Sequence, residues 1–204
     1  MKKKLTIGVF GGTFDPPHIG HLLLADEAQA QFKLDRVLWV LTPFPPHKND
    51  VNITPLSIRM ELVLAAIYDS PSFEFCSVDI DRPAPTYAVD TMRILRDSYP
   101  SAKFMYLMGA DSLRNLPQWH QPEVFLKYCD SLGIMKRFGN QAYLNELTAV
   151  FPDIAEKINL IDVPLIQISS SDIRKRVSDS RPYRYFLPDK VYQVMCKFSL
   201  YQQP

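Results

Sequence analysis

Residues 5–21 read LTIGVFGGTFDPPHIGH, and this segment is the strongest indication of the fold in the sequence. An apolar run from Leu5 to Gly11 leads into a glycine-rich turn and then into a helical pattern from about Ile19 to Phe32. A strand that passes through such a turn into a helix is typical of a parallel α/β sheet. The same order recurs along the chain, so we predict an open, doubly wound, Rossmann-like parallel sheet with helices on both faces.

Five further runs have the continuous apolar character of buried parallel strands, with helical patterns between them. The predicted strands are Arg36–Thr42, Phe73–Asp79, Ala102–Gly109, Asp130–Lys136 and Lys157–Val163. The later predicted helices begin near Pro55, cover Thr86–Asp97, and begin near Ser170 and Pro188. In such a fold, ligands bind outside the carboxyl ends of the strands, where the strand order switches. We therefore expect the functional residues directly after strands.

The composition is that of an ordinary globular protein, and we predict one domain over residues 1–204. Hydrophobic residues make up 47%, charged residues 22%, and the net charge is +1, which argues against a broad nucleic-acid surface. No apolar run reaches the roughly 18 residues of a membrane helix. The three cysteines are scattered without zinc spacing, as expected of reduced thiols. We expect a cytoplasmic protein that binds neither nucleic acid nor membrane.

The turn after the first predicted strand has the features of a phosphate-binding site. Gly11 and Gly12 allow a ligand to approach the backbone closely, and the turn can aim N–H groups at anionic oxygens. His18 and His21 are one helical turn apart, so both imidazoles can face one point at the helix N-terminus, which favours phosphate. The spacing is neither GxGxxG nor that of a P-loop. The alternative is that these histidines only cap and pack the helix.

A second polar motif lies where the helix near Ser170 begins. Ser169 and Asp172 match a capping box. A capping box does not account for the succession of Ser169, Ser170 and Ser171, nor for Arg174 one turn on. Serine hydroxyls, a guanidinium and free helix N–H groups would together hold a triphosphate tail.

These motifs resemble those of a known enzyme family. Gly11–Phe14 with His18-Ile19-Gly20-His21 is similar to the signature of the HxGH nucleotidylyltransferase superfamily. The longer match resembles the bacterial nicotinate-nucleotide adenylyltransferases and runs through nearly the whole chain. It includes, in family order, PPHK at 45–48, GAD at 109–111, Trp119, ISSSDIR at 168–174 and the ending from 185 to 201.

The resemblance implies an activity and its partners. The enzyme would transfer AMP from ATP to nicotinate mononucleotide, giving nicotinic acid adenine dinucleotide and pyrophosphate on the route to NAD. Phosphoryl-group chemistry of this kind needs alignment and charge neutralisation rather than a protein nucleophile. The sequence contains no carboxylate cluster that indicates a protein-bound metal, so we expect Mg²⁺ to arrive with ATP.

The resemblance, together with the chemistry of the motifs, assigns roles to individual residues. Catalysis falls to His18 and His21 at the α-phosphate, and to Lys48 and Arg174 at the leaving pyrophosphate. ATP would be bound by Gly11, Gly12, Thr13, Phe14, Ser169, Ser170 and Ser171. The mononucleotide would be bound by Thr86, Tyr87, Ala88, Asp111, Trp119 and Arg137.

The chain departs from the family pattern at two places. Phe138 stands where the family has a proline after the arginine. In the segment 86–88, which resembles a Ser-Tyr-Thr stretch, Thr86 stands where the family has a serine and Ala88 where it has a threonine, so only a backbone contact is available at Ala88.

Several of these residues also have a purely structural interpretation. Lys48 fits a solvated loop lysine, Asp111 fits a helix N-cap, and Trp119 fits an aromatic residue at the rim of the core. We interpret His47 and His120 as local hydrogen-bonding partners rather than catalysts.

Three other functions fit parts of the sequence. A phosphopantetheine adenylyltransferase or a cytidylyltransferase should lack the tryptophan after Gly-Ala-Asp. A dinucleotide-binding oxidoreductase should carry GxGxxG, with no histidines in the phosphate turn. A non-catalytic nucleotide-binding or RNA-binding module would fit the turn, but the near-neutral charge argues against a broad RNA surface.

Overall fold

The computed structural model describes residues 4–44, 53–135, 141–164 and 166–202, with the backbone alone for 141–144. Within these ranges, six strands form one sheet in the order β3-β2-β1-β4-β5-β6. The strands are β1 (Thr6–Gly12), β2 (Arg36–Leu41), β3 (Phe73–Cys76), β4 (Lys103–Gly109), β5 (Ser131–Met135) and β6 (Ile158–Ile161). Between and after them come α1 (Ile19–Phe32), α2 (Leu56–Ile67), α3 (Ala88–Ser98), α4 (Ala110–Arg114), α5 (Pro122–Tyr128), α6 (Gln141–Val150), α7 (Ile154–Lys157), α8 (Ser170–Ser178) and α9 (Asp189–Lys197).

Each neighbouring pair of strands in the sheet is parallel. From β1 the chain builds outward through β2 and β3, then returns to place β4 on the other side of β1 and builds outward through β5 and β6. The strand order therefore switches between β1 and β4, and the carboxyl ends of all these strands lie at one edge of the sheet. The predicted open, doubly wound parallel sheet is confirmed.

Side chains on the two faces of the sheet build two separate hydrophobic cores. Along β2, Trp39 enters the core shared with α1, α2, α8 and α9. Its neighbours Leu38 and Val40 enter the opposite core, shared with helices from α3 to α7. Successive strand residues point to opposite faces, so a strand covered on both sides must be apolar throughout. The prediction of helices on both faces is also confirmed.

The third strand is shorter than predicted. It ends at Cys76, whereas the sequence analysis extended it to Asp79. The chain turns at Ser77, whose carbonyl accepts from the N–H of Ile80 at 2.7 Å and whose hydroxyl donates to Asp81 at 2.5 Å. This turn moves Asp79 out of the sheet and into a buried position beside α3.

The helices between residues 110 and 157 were not predicted. Most of them are short: α4 has 5 residues, α5 has 7 and α7 has 4. Segments of this length carry too few turns to show a helical period. Within the described ranges, none of the helices combines the length and apolar character needed to cross a membrane.

Candidate active site

The turn between β1 and α1 is buried and brings the two histidines together. His18 is 6% exposed and is the N-cap of α1. Its backbone N–H donates to Nδ1 of His21 at 3.1 Å. The two imidazole rings stack with their centroids 3.7 Å apart. The one-turn spacing in the sequence thus corresponds to direct contact at the start of the helix.

The protonation of the two rings follows from this geometry. Burial lowers the pKa of His18 to about 4, so this imidazole is neutral near pH 7. Nδ1 of His21 accepts a hydrogen bond, so the ring proton of His21 lies on Nε2. The turn therefore offers imidazole N–H groups as donors without stacking two positive charges.

Glycines at the site leave space for rings or for a ligand. At Gly20, an added Cβ would lie 3.1 Å from Nδ1 of His18, so a larger residue there would require the ring to shift by a few tenths of an ångström. At Gly11, it would lie 2.7 Å from the hydroxyl of Tyr106. At Gly109, it would meet no atom within 4 Å. This open space at the end of β4 adjoins β1, at the switch in strand order where the fold places its ligands.

Phe14 is turned into the protein rather than toward a ligand. Its φ of 48° lies in the left-handed region, and its side chain is buried. The ring packs edge-to-face against Phe10 at 5.4 Å and against His21 at 5.3 Å. Because the ring packs against Phe10 and His21, the side chain of Phe14 belongs to the core, and its backbone is the part that remains for a ligand.

The serine motif forms the N-terminus of α8, as predicted. Ser169 is the N-cap, and its hydroxyl accepts from the N–H of Asp172 at 3.0 Å. The side chain of Asp172, predicted to complete a capping box, pairs with Arg176 at 3.0 Å. An arginine one turn along the helix offers this carboxylate a stronger, charge-assisted bond than a backbone N–H does.

Two side chains of α8 reach back to the histidine turn. The hydroxyl of Ser170 donates to the carbonyl of Pro16 at 2.8 Å. Nη1 of Arg174 donates to the carbonyl of Asp15 at 2.7 Å, and its Nη2 donates to the hydroxyl of Ser171 at 3.2 Å. The two motifs that the sequence separates by about 150 residues therefore form one site.

Three residues to which the sequence motifs assign no role hold this site together. The hydroxyl of Tyr201 donates to Oδ1 of the buried Asp15 at 2.6 Å. Burial and this neighbouring carboxylate raise the pKa of Tyr201. Arg59 is 2% exposed and donates to the carbonyls of Thr54 at 2.9 Å and Thr13 at 3.2 Å. Burial lowers its pKa, while the charge of Asp15 raises it.

A signal for Arg59 was present in the sequence. It lies three, four and seven positions before Leu62, Val63 and Ala66, which form the buried stripe of α2. A charged residue in register with an apolar stripe indicates a buried cation with specific partners. Those partners are backbone carbonyls, which no sequence pattern identifies.

Three of the residues predicted to bind the mononucleotide, Thr86, Tyr87 and Ala88, lie at the start of α3. Tyr87 is the N-cap and Ala88 is the first residue of the helix. Thr86 is buried, and its hydroxyl donates to the carbonyl of Phe44 at 3.4 Å. The ring of Tyr87 stacks on His120 at 4.1 Å, which connects this segment to the neighbouring Trp119. His120 is thus a local partner, as interpreted from the sequence, although through stacking.

Trp119 and Asp111 lie after β4. Trp119 is half-buried, with its ring 6.1 Å from that of Tyr106 and 5.2 Å from that of Phe125. Tyr106 in turn lies under Gly11, so the Trp119 region is joined to the histidine turn. Asp111 is exposed in the first turn of α4, whose N-cap is Gly109, so the N-cap interpretation of Asp111 is wrong.

Some predicted site residues lie outside the described ranges. They are Lys48 and Arg137, and their predicted roles stay predictions; His47, interpreted as a local hydrogen-bonding partner, lies outside these ranges as well. Among the residues that the structure describes, no group of three or more histidine, cysteine, aspartate or glutamate side chains could hold a metal ion.

Comparison with known proteins identifies the class of enzyme that this sheet and histidine turn define. The sequence profile of the family described as "Cytidylyltransferase-like" matches residues 9–176, more than half of the chain. The chain is therefore a nucleotidyltransferase of this family. A protein of Thermomicrobium roseum named "Probable nicotinate-nucleotide adenylyltransferase" is 40% identical over 196 residues, covering 96% of this chain and 91% of the relative. The nicotinate-nucleotide adenylyltransferase of Bacillus subtilis is 36% identical over 202 residues, covering 99% and 100%.

The chain belongs to the nicotinate-nucleotide adenylyltransferase family, which confirms the resemblance inferred from its motifs. Among solved structures it is similar to "Plasmodium falciparum nicotinic acid mononucleotide adenylyltransferase complexed with NaAD". The TM-score is 0.78 at 20% sequence identity, over 97% of both chains. At this identity the likeness establishes the fold.

Proposed function

We propose that this chain transfers the AMP part of ATP to nicotinate mononucleotide, forming nicotinic acid adenine dinucleotide and releasing pyrophosphate. The observation that carries the proposal is the contact of Ser170 and Arg174 with the turn that bears His18 and His21. These bonds hold the start of α8 beside the histidine turn, so that both could face one triphosphate. The relatives named as nicotinate-nucleotide adenylyltransferases support the same activity.

The reaction needs no nucleophile from the protein. An oxygen of the mononucleotide phosphate forms a bond to the α-phosphorus of ATP. The bond between the α-phosphorus and the oxygen that bridges to the β-phosphate breaks, and its electron pair leaves with pyrophosphate. The protein has to align the attacking and leaving oxygens and stabilise the charge that develops on the phosphate.

We assign His18 and His21 to the α-phosphate. His18 is neutral because burial lowers its pKa to about 4, and His21 carries its proton on Nε2, so both rings act as hydrogen-bond donors. They stand at the first turn of α1, where the helix dipole and unpaired N–H groups favour an anion. Fixed donors of this kind stabilise a developing oxyanion without reorganisation.

We assign the N-terminus of α8 to the β- and γ-phosphates. Arg174 uses one N–H on Asp15 and one on Ser171, and a guanidinium has five N–H donors, so others remain for phosphate oxygens. Lys48 joins this group on the strength of the family resemblance. The ATP-binding set is completed by Gly11, Gly12, Thr13, Phe14, Ser169, Ser170 and Ser171.

We assign the start of α3 and Trp119 to the mononucleotide. The first N–H groups of a helix have no partner within it, and its dipole end is positive, so Thr86, Tyr87 and Ala88 suit the nicotinate carboxylate. Trp119 would stack on the pyridine ring. Asp111 and Arg137 complete this set on the resemblance.

The metal, the compartment and the domain organisation belong to the same proposal. Mg²⁺ would arrive on the phosphates of ATP, since it prefers phosphate and water oxygens in octahedral geometry, and would neutralise their charge. We propose the cytoplasm as the compartment, because Cys76, Cys129 and Cys196 are all free thiols, as a reducing environment keeps them. Residues 1–204 would act as one domain.

A pyrophosphate-release assay with ATP, Mg²⁺ and a panel of mononucleotides tests this function. We expect the acid, nicotinate mononucleotide, to be preferred over its amide by about ten- to a hundredfold in kcat/KM. The NH₂ group of the amide would face the backbone N–H groups at the start of α3, and two hydrogen-bond donors cannot pair with each other. CTP in place of ATP, and phosphopantetheine in place of the mononucleotide, are controls for the related transferases. Absence of pyrophosphate with every mononucleotide would exclude the proposed activity. Equal use of acid and amide would exclude only the acid preference.

A further inference from the structure

Arg82 lies outside the residues assigned to ligands, yet it holds the segment that precedes α3. Its side chain is 14% exposed. Nη2 donates to the carbonyl of Tyr87 at 2.9 Å, and Nη1 donates to the carbonyl of Pro85 at 3.3 Å. One guanidinium therefore holds two carbonyls that are two residues apart.

These two bonds also set the direction of two N–H groups. The carbonyl of Pro85 shares a peptide plane with the N–H of Thr86, and the carbonyl of Tyr87 shares one with the N–H of Ala88. Both peptide bonds are trans, so each N–H points opposite to its carbonyl. Because Arg82 draws both carbonyls toward itself, it turns the N–H groups of Thr86 and Ala88 to the other side of the chain.

Arg82 is itself fixed by buried partners. Its Nη2 also donates to Oδ1 of Asp79 at 3.1 Å, and Asp79 is buried. The hydroxyl of Thr91 lies 2.6 Å from the same carboxylate oxygen and 3.1 Å from the carbonyl of Tyr87. The guanidinium, the carboxylate and the hydroxyl thus close around one carbonyl, which leaves the Tyr87–Ala88 peptide little freedom to rotate.

We propose that Arg82 is a positioning residue for acid recognition: it fixes the direction of the Thr86 and Ala88 N–H groups that receive the nicotinate carboxylate. The inference rests on the proposed function and names the residue that makes that site selective. A rival explanation is that Arg82 attracts the carboxylate by its charge alone. Lysine separates the two explanations, because it keeps the charge but cannot span two carbonyls with the fixed fork of arginine.

The test compares Arg82→Gln and Arg82→Lys with the wild type and with Arg93→Gln. Arg93→Gln is a matched control, because this substitution also removes one positive charge from the same region. The side chain of Arg93 is 55% exposed and bonds to Asp90 at 2.8 Å. Thermal unfolding of each variant shows whether it is folded, and Arg82→Lys, which keeps a positive charge beside the buried Asp79, serves for the test if Arg82→Gln does not fold. Steady-state kinetics then give kcat and KM for the acid, the amide and ATP.

We expect Arg82→Gln to lower kcat/KM for the acid by on the order of ten- to a hundredfold, mainly through KM, as expected when a polar group in the complex loses its partner. The amide should lose much less, and KM for ATP should not change. Arg82→Lys should lose most of the acid preference, and Arg93→Gln should match the wild type.

Two results would overturn the inference while leaving the proposed function intact. One is an unchanged acid-to-amide ratio in Arg82→Gln or Arg82→Lys. The other is a rise in KM for ATP as large as that for the acid, which would make Arg82 a general structural residue. A wild-type enzyme that is inactive with every mononucleotide would overturn the proposed function, and the inference with it.

Discussion

The proposed role of His18 depends on its burial as well as on its imidazole, because burial keeps the imidazole neutral near pH 7. The sequence predicts that His18 and His21 lie together at the start of a helix, because residues three apart share a helix face. The neutrality of His18 could not be predicted from the sequence. The turn is covered by side chains such as that of Ser170, which lies 154 residues from Pro16 along the chain. The close packing of the His18 ring against Gly20 likewise becomes visible only in the folded structure.

Burial of His18 should make the protein less stable in mild acid. The pKa of this residue is about 4 in the folded protein, against 6.5 for an ordinary histidine. Between these pH values the unfolded chain binds a proton that the folded protein does not. The contribution of neutral His18 to the free energy of unfolding is therefore fully present above pH 6.5, and it is lost as the pH falls from 6.5 to 4. The loss amounts to about 3 kcal/mol.

His18→Gln should remove this part of the pH dependence. Urea unfolding of the wild type and the variant at pH 7, 6 and 5 measures this pH dependence. We expect the free energy of unfolding to fall more steeply with decreasing pH in the wild type than in the variant. The same slope in both proteins would contradict a depressed pKa for His18.

Among the elements, α8 shows what a helix pattern can and cannot predict. Its start near Ser170 was predicted from the serine motif and is observed. Its contact with the β1–α1 turn depends on the order of strands in the sheet, which no local pattern encodes. The third strand is a different case, because the sequence pattern predicted the strand correctly but not its end. A turn at Ser77 ends β3 earlier than the apolar run does.

Arg174→Lys should weaken the use of ATP although it preserves the charge. Arginine can hold the carbonyl of Asp15 and still offer further N–H groups to phosphate, whereas a lysine ammonium cannot keep both in the same geometry. We expect kcat/KM for ATP to fall by about tenfold or more. Arg176→Lys is the matched control on the same helix, because Arg176 bonds to Asp172 and to the carbonyl of Pro182 instead. Equal kinetics for both variants would show that Arg174 only braces the turn.

At the scale of the whole molecule, the site is closed by contacts between distant parts of the chain. The doubly wound sheet could be predicted because its strands are apolar throughout and separated by helices. The hydrogen bonds of Asp15, Arg59 and Tyr201 could not be predicted from the sequence, because each bond joins segments that only the finished fold brings together.

Tyr201→Phe should destabilise the protein and lower its activity together. The change removes one oxygen, which leaves the carboxylate of Asp15 without its donor at 2.6 Å. A buried polar group that loses its partner costs about 1–3 kcal/mol, and the turn that bears His18 should loosen with it. Tyr185→Phe is the control, because Tyr185 is 87% exposed. Urea unfolding and the pyrophosphate assay measure both effects. If the two variants unfold at the same denaturant concentration, the bond to Asp15 contributes nothing to stability.

The bond between Asp15 and Tyr201 spans 186 positions of the chain, and this distance has a consequence for synthesis on the ribosome. Translation produces the histidine turn early, while Arg174 and Tyr201 emerge only near its end. A nascent polypeptide can pair β1 with β2 long before it contains the groups that fix the turn between β1 and α1. Premature termination would therefore yield fragments that carry the histidine signature without the bonds from Arg174 and Tyr201 that hold the turn.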